Sequence, residues 1–262
     1  MNSKPTPTPI TIITGASRGL GLAIAQALLA RGHRLLTLQR QPNAALAASP
    51  ASPASPASAP VEQWALDLAE PVAAAARLQA WVAALPRAQI ASITLINNAA
   101  ALTALAPLGD IDAAELAMAM RVGLEAPLLL TAAFLRASAE LDAPRKVLNI
   151  SSGLGRFAMA ASAQYCAAKA GMDHFSRAVA LEEAARPNGA RIASLAPGVI
   201  DTDMQVQLRS ADAAAFPDRA RFVGLHAEGK LDSPAAAAAK IVAYLDRRDF
   251  GSNAVGDVRD PA

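Results

Sequence analysis

The chain has 262 residues, of which 53% are apolar and 4% aromatic, and a formal net charge of +2. This length accommodates one large α/β domain or two small ones, and the abundance of small aliphatic residues suits helices packed tightly on a sheet. Because the charge is small and dispersed, it argues against binding to nucleic acid or a membrane surface, so we expect small-molecule partners.

The single cysteine and the N-terminal residues indicate the compartment. Cys166 stands alone, which excludes an internal disulfide framework and a cysteine-rich metal site and fits a reducing environment. Residues 1–9 are polar and proline-rich, without the apolar core of a signal peptide, and no stretch reaches membrane-spanning length. We therefore expect a disordered tail over 1–9, a cytoplasmic protein and no metal centre.

The first predicted unit is a strand, a glycine turn and a helix. The β-branched run Ile10–Thr14 predicts the strand, and Leu22–Ala30 predicts the helix. Glycines between them let the backbone approach a pyrophosphate, and the helix N-terminus offers amides and positive potential. This pattern predicts a dinucleotide site, with cofactor-binding residues Gly15, Ser17, Arg18, Gly19, Leu20 and Gly21.

The second strand, predicted over 33–40, ends where the adenosine ribose of a dinucleotide would lie. An NAD site commonly carries an acidic residue there for the 2′-hydroxyl, whereas this chain has Gln39 and Arg40. Together with Arg18, the local positive charge favours a 2′-phosphate and therefore NADPH. The alternative is that both arginines are solvated surface residues.

An insert and a third strand follow. Residues 41–60 are rich in Pro, Ala and Ser, which predicts a surface insert without a core. Val61–Leu66 predicts a short strand and Pro71–Ala84 a helix. Asp67, just past the strand tip, either accepts a hydrogen bond from the adenine amino group or caps that helix.

Polar residues end the next two predicted strands. Residues 91–96 predict a strand, and the two asparagines that follow it suit a structural brace beside the cofactor. A helical region over 110–140 leads to a buried strand that ends at Ser152. Ligands of open α/β sheets bind at such carboxyl ends of strands.

Tyr165 and Lys169 lie four residues apart in a predicted helix, so both side chains leave the same face. A neighbouring ammonium favours the phenolate, which would let Tyr165 exchange a proton near pH 7. The alternative is an ordinary solvated pair. Cys166 is expected to be a small buried filler, since no histidine is placed to act as its base.

The sixth predicted strand, over 190–196, is ended by Pro197 and Gly198. Beyond it, we expect the backbone of Val199 and Ile200 to contact a flat amide such as the nicotinamide carboxamide. We also expect Thr202 to contact a phosphate of the cofactor.

The rest of the chain predicts a lid over 205–232, a last helix over 235–245 capped at Ser233, and a polar tail. Because strands and helices alternate throughout, we predict a single-domain Rossmann fold. It is a doubly wound parallel sheet of about seven strands with helices on both faces.

Taken together, these motifs resemble the short-chain dehydrogenase/reductase family over nearly the whole chain. The motifs that match the family in order and spacing are the glycine turn, Asn97-Asn98-Ala99, Ser152, Tyr165-x-x-x-Lys169 and Pro197-Gly198. The resemblance implies that Tyr165 donates a proton to the substrate, that Ser152 positions its oxygen, and that Lys169 lowers the pKa of the tyrosine and binds the nicotinamide ribose. It also implies homodimers or homotetramers, paired through the helices that follow Gly109 and Ser162.

The C-terminal part resembles one branch of that family, the sepiapterin and benzil reductases, which reduce vicinal dicarbonyl compounds with NADPH. The similar segments are 196–205, 228–231 and 249–252. In sepiapterin reductase an aspartate near the C-terminus anchors the guanidine-like edge of the pterin, and Asp257 matches its position, although a solvated tail carboxylate is an equal alternative. The resemblance implies an NADPH-dependent reductase of a ketone, with a 1,2-dicarbonyl compound as substrate.

Gly123 departs from the family pattern, in which an asparagine is common and its backbone carbonyl holds a water that relays protons to the lysine. Glycine keeps the carbonyl but lacks the side chain that fixes the local helix kink. A dinucleotide-binding regulatory protein without turnover therefore stays open. So does an NAD-dependent alcohol dehydrogenase, against which Arg18 and Arg40 argue.

Overall fold

A computed structural model describes residues 6–47 and 61–260. The strands are β1 Thr8–Thr14, β2 Arg34–Gln39, β3 Val61–Ala65, β4 Ile90–Asn97, β5 Arg145–Ile150, β6 Arg191–Ala196 and β7 Val255–Asp257. They pair in parallel as one seven-stranded sheet in the order β3-β2-β1-β4-β5-β6-β7. The predicted Rossmann fold is confirmed.

Helices cover both faces of the sheet. Within the described ranges they are α1 Gly19–Leu29, α2 Ala44–Ala47, α3 Pro71–Ala83, α4 Ala113–Met120, α5 Ala126–Ser138, α6 Ala163–Ala184, α7 Asp203–Ser210, α8 Arg219–Ala227 and α9 Pro234–Asp246. Successive residues of a strand point to opposite faces, so Ile12 joins Phe134 in one core and Ile13 joins Ile24 in the other.

The order of the strands reverses at β1, which determines where a ligand can bind. The chain runs outward from β1 to β2 and β3, then returns to place β4 on the other side of β1. The loops that leave the carboxyl ends of β1 and β4 therefore diverge and open a crevice, which is the binding position in doubly wound folds.

Three boundaries differ from the sequence predictions because tertiary packing extends the ordered structure. Strand β1 begins at Thr8, so Thr8 and Pro9 belong to the sheet rather than to the predicted tail, of which residues 1–5 lie outside the described part. The predicted insert begins with α2, whose Leu46 is buried, while residues 48–60 are also outside the described part. The predicted polar tail contains β7.

The predicted helical region over 110–140 is divided into α4, a π-helical turn over Arg121–Glu125, and α5. Its run Ala113–Ser138 is 26 residues long and contains an 18-residue window with a mean hydropathy of 1.5, so it is long and apolar enough by these measures to cross a membrane. The expectation that no stretch reaches that length is therefore wrong. The apolar composition has a packing reason, since Leu130 and Phe134 are buried in the core between the sheet and α3.

Candidate active site

A cavity of about 1200 Å³ lies along the carboxyl ends of the strands, from β3 across to β7. All of the predicted cofactor-binding, catalytic and substrate-binding residues line it. They are Gly15, Ser17, Arg18, Gly19, Leu20, Gly21, Arg40, Asp67, Asn98, Ala99, Ser152, Tyr165, Lys169, Pro197, Gly198, Val199, Ile200, Thr202 and Asp257.

The glycine turn between β1 and α1 is closely packed on its own backbone. Gly15 has a φ of +71°, which favours glycine, and a Cβ on Gly21 would lie 2.2 Å from the carbonyl oxygen of Gly15. Asn98 braces the turn from β4, since its Nδ2 donates to the carbonyl oxygens of Thr14 at 3.0 Å and Gly15 at 3.1 Å. The turn therefore presents backbone groups without side chains to the crevice.

The N-terminus of α1 opens into this cavity without a side-chain cap. The side chain of its N-cap residue, Arg18, makes no capping hydrogen bond. Thr202 lies beside this terminus, its Cγ2 3.6 Å from the position of a Cβ on Gly19. Uncapped amides and the helix dipole fit an anionic pyrophosphate, so the residues present suit the predicted dinucleotide.

The adenosine end of the cavity has two exposed arginines, which differ in their ion pairing, and one residue that the sequence analysis missed. Arg40 is exposed and, among the described residues, forms no ion pair. Arg18, in contrast, pairs with Asp203 at the start of α7. Asn43 joins the loop after β2 to the glycine turn, donating from Nδ2 to the carbonyl of Ser17 at 2.7 Å. It was missed because it lies inside the Pro/Ala/Ser-rich insert.

Asp67 also lines the cavity, and one of its two predicted roles is wrong. Its Oδ1 accepts from the amide of Ala69 at 2.9 Å, which closes a local turn. Helix α3 begins at Pro71 with Glu70 as its N-cap residue, so Asp67 does not cap it. The contact with an adenine amino group stays a prediction.

Ser152, Tyr165 and Lys169 meet at the carboxyl end of β5. Ser152 follows the strand and accepts from the amide of Leu154 at 3.2 Å, which begins a 3₁₀ turn. Tyr165 and Lys169 lie one turn apart on α6, with the lysine Nζ 5.6 Å from the centre of the tyrosine ring. Lys169 is buried, and its Nζ donates to the carbonyl oxygen of Ile150 at 2.7 Å.

The electrostatics of this group differ from the expectation for tyrosine. Burial raises the pKa of Tyr165, the Ser152 hydroxyl lowers it by hydrogen bonding, and Cys166 raises it further. Burial also lowers the pKa of Lys169 to about 8, against an opposing effect of Asp173. The expectation that the Lys169 ammonium lowers the pKa of Tyr165 enough for proton exchange near pH 7 is therefore wrong for this structure, because burial has the largest effect and favours the neutral phenol.

Gly123 lies in the π-helical turn that separates α4 from α5. The turn forms without the asparagine side chain, and a Cβ on Gly123 would lie 3.0 Å from the Cβ of Ala168, next to Lys169. Glycine thus lets this turn pack closely against the helix that carries the tyrosine and lysine, and the local break in helix geometry is retained.

The loop after β6, whose backbone was predicted to reach a flat amide, lines the cavity. Gly198 has a φ of +83°, which favours glycine and turns the chain after Pro197. The carbonyl of Val199 already accepts from the amide of Asp232 at 2.9 Å. Val199 and Ile200 both line the cavity, and their contact with a flat amide stays a prediction.

Asp257 belongs to β7 and lines the cavity, so it is not a solvated tail carboxylate. Both of its oxygens are bound by Arg259, from Nε at 2.7 Å and from Nη2 at 2.6 Å. The Arg259 guanidinium lowers the pKa of Asp257. A guanidine-like ligand edge would have to displace this arginine to reach the carboxylate.

Apolar side chains form part of the remaining wall of the cavity, and the sequence analysis did not identify them. They come from elements far apart in the chain, so local pattern gave no signal. These residues are Leu102, Leu105, Met118, Leu154, Met159, Met204, Leu208 and Phe222. Within residues 6–47 and 61–260, no group of three His, Cys, Asp or Glu is placed to hold a metal ion.

Comparison with known proteins agrees with this architecture. A family model described as short chain dehydrogenase matches residues 9–213. A benzil reductase ((S)-benzoin forming) of Bacillus cereus is 32% identical over 246 residues, which cover 91% of this chain and 94% of that protein. A sepiapterin reductase of Rattus norvegicus is 32% identical over 265 residues, 96% of each chain.

Among solved structures, the KRED1-Pglu enzyme superposes with a TM-score of 0.77 at 26% identity. The match covers 95% of this chain and 100% of that one. The likeness thus extends beyond residue 213, where the match to the family model ends.

Proposed function

Because the chain belongs to the short-chain dehydrogenase family, we propose that it is an NADPH-dependent reductase of 1,2-dicarbonyl compounds. Family membership and the curated relatives make it an oxidoreductase that acts on carbonyls. One observation carries the proposal: Ser152, Tyr165 and Lys169 converge in the same cavity as the glycine turn and Arg40.

A bound nicotinamide dinucleotide supplies the hydride that reduces the carbonyl carbon. The chain supplies the proton and the positioning. Tyr165, kept protonated by burial, donates its hydroxyl proton to the carbonyl oxygen as negative charge develops there. Ser152 donates a hydrogen bond to the same oxygen. Lys169 offers its two remaining N–H donors to the tyrosine and ribose hydroxyls, since one N–H is taken by the carbonyl of Ile150.

Within the dicarbonyl class we favour an aromatic diketone over a pterin. The apolar wall, which includes Met159, Met204 and Phe222, suits aromatic rings. The pairing of Asp257 with Arg259 occupies the carboxylate that a pterin's guanidine-like edge would need. The benzil and sepiapterin reductases among the relatives support both substrate types equally at 32% identity.

The substrate proposal is tested by following NADPH oxidation with an aromatic 1,2-diketone, with sepiapterin and with a simple monoketone. We expect the highest kcat/KM for the diketone. Faster turnover of sepiapterin would contradict the preference for a diketone, and equal rates for all three would contradict recognition of the second carbonyl.

The cofactor preference is tested by Arg40→Glu. We expect the Kd for NADPH to rise about 10- to 100-fold, because a charge-assisted hydrogen bond to phosphate contributes roughly 1.5–3 kcal/mol. The Kd for NADH should change little, since it lacks the 2′-phosphate. Fluorescence titration of both cofactors measures the ratio.

Arg248→Glu is the matched control, because Arg248 is exposed and lies outside the cavity lining. It makes the same change in net charge and should leave both Kd values unaltered. An unchanged NADPH to NADH ratio in Arg40→Glu would contradict the assignment of Arg40 to the 2′-phosphate.

A further inference from the structure

A buried carboxylate, Asp173, lies on α6 one turn beyond Lys169 and is only 1% exposed. Its Oδ1 accepts from the Ser194 hydroxyl of β6 at 2.7 Å. Its Oδ2 forms no hydrogen bond among the described residues and lies 3.5 Å from Nε of Arg156. A buried charge with so little compensation is costly, so its retention needs a reason.

The first reason is its position relative to Lys169. Residues four apart on a helix share a face, so the carboxylate and the buried ammonium belong to one interior region. Among the described residues, Lys169 Nζ donates a hydrogen bond to the carbonyl oxygen of Ile150, which does not neutralise a charge. The negative charge of Asp173 opposes the effect of burial on the lysine pKa.

The second reason is the contact with the segment that follows Ser152. A Cβ on Gly155 would lie 2.6 Å from Asp173 Oδ2 and 3.0 Å from the carbonyl oxygen of Lys169, so bare backbone packs on both residues. The next residue, Arg156, approaches the carboxylate with Nε and donates from Nη2 to the carbonyl of Gly256 at 3.1 Å. Asp173 thus joins the Ser152 segment, α6 and β7.

Other charged groups near α6 are placed less favourably to act on Lys169. Four of these side chains are exposed or hydrogen-bonded to other groups: Arg121 and Glu125 of the π-helical turn, Arg136 of α5 and Arg191 of β6. The carboxylate of Asp257 on β7 is paired with Arg259. Glu115 of α4 accepts from the amide of Ala104. Among the described residues, Asp173 is the charged group that raises the pKa of Lys169.

We propose that Asp173 is a positioning residue for the ketone reduction proposed above: its carboxylate keeps Lys169 cationic and holds the Ser152 segment against α6. It touches neither substrate nor cofactor. The inference rests on the proposed function only for its effect on turnover, because the charge of Lys169 can be measured without any substrate.

The sign of the pH dependence follows from the lysine. Lys169 is protonated below its pKa of about 8, so its support of Tyr165 is present at neutral pH and is lost as pH rises through that value. Removing the negative charge of Asp173 lowers this pKa further. In such a variant, the decrease of kcat with rising pH must therefore begin at a lower pH than in the wild type.

The test is Asp173→Asn, which keeps the size and the acceptor for Ser194 and removes the charge. The chain has five lysines, so ¹³Cε-lysine NMR of the full chain resolves Lys169, with Lys169→Arg for assignment. We expect the Lys169 midpoint, near pH 8 in the wild type, to fall by about one unit or more. In diketone assays, kcat at pH 9 should fall about tenfold while KM stays within about threefold.

Ser194→Ala is the matched control, since it removes a hydrogen bond to Asp173 and keeps the charge. It should leave the Lys169 midpoint and the pH profile in place, even if it lowers stability. Asp173→Ser, a second neutral variant with less bulk, should lower the midpoint as Asp173→Asn does, and it replaces that variant if the asparagine protein does not fold.

Equal Lys169 midpoints in the wild type and a neutral variant would overturn the proposal. A Lys169 midpoint in the wild type more than about one pH unit below the expected value would also overturn the proposal. This measurement requires no variant. Absence of ketone turnover with a shifted midpoint would count against the proposed function alone and leave the role of Asp173 in the charge of Lys169 supported.

Discussion

Replacement of Tyr165 by phenylalanine is expected to lower kcat for ketone reduction by about 10²- to 10⁴-fold, the usual contribution of a general acid. The ring fills the same space, so the helix and the cavity stay intact. NADPH should still bind, with a Kd within about threefold of the wild type, because the glycine turn and Arg40 are untouched. Steady-state kinetics and fluorescence titration separate the two effects.

Tyr244→Phe provides the matched control, since the chain has only two tyrosines and Tyr244 lies on α9, outside the cavity lining. This control should reduce the diketone at the wild-type rate. Turnover by Tyr165→Phe at the rate of Tyr244→Phe would show that the proton comes from another group.

The second large effect is expected for Gly21→Ala at the start of α1. The added Cβ would lie 2.2 Å from the carbonyl oxygen of Gly15 and 2.5 Å from Nδ2 of Asn98, so the turn must shift. We expect a loss of about 1–3 kcal/mol in unfolding free energy from overpacking. A shift of about 1 Å in the phosphate-binding backbone should weaken NADPH binding on the order of 100-fold.

Gly109→Ala tests whether the effect is specific, because a Cβ on Gly109 meets no atom within 4 Å. This variant should match the wild type in thermal unfolding and in NADPH titration. If Gly21→Ala bound NADPH as tightly as Gly109→Ala does, the glycine turn would not be the phosphate site.

The fold and the cofactor end of the site were predictable because their signals are local. β-branched and apolar runs marked six of the strands, and glycines beside a strand and a helix marked the turn. Helical spacing singled out Tyr165 and Lys169, and the family resemblance assigned their catalytic roles. The structure brings all of these residues to one cavity, as the convergence of strand ends in a parallel sheet requires.

The missed features depend on contacts between distant parts of the chain. Strand β7 has only three residues, too few for a pattern, and it exists because β6 pairs with it. The place of Asn43 beside the glycine turn follows from its contact with Ser17, 26 residues earlier in the chain. The pKa of Tyr165 was mispredicted because burial acts through the whole fold, whereas spacing reveals only the neighbouring lysine.

Transfer of hydride to a ketone carbon is the central claim, and isotope labelling tests it most directly. The purified chain is incubated with an aromatic 1,2-diketone and NADPH deuterated at C4, in each of its two stereoisomers, and the product is examined by mass spectrometry. We predict an α-hydroxyketone that carries one deuterium on the carbinol carbon from one stereoisomer and none from the other. An unlabelled product from both, or NADPH oxidation without a hydroxyketone, would contradict the account.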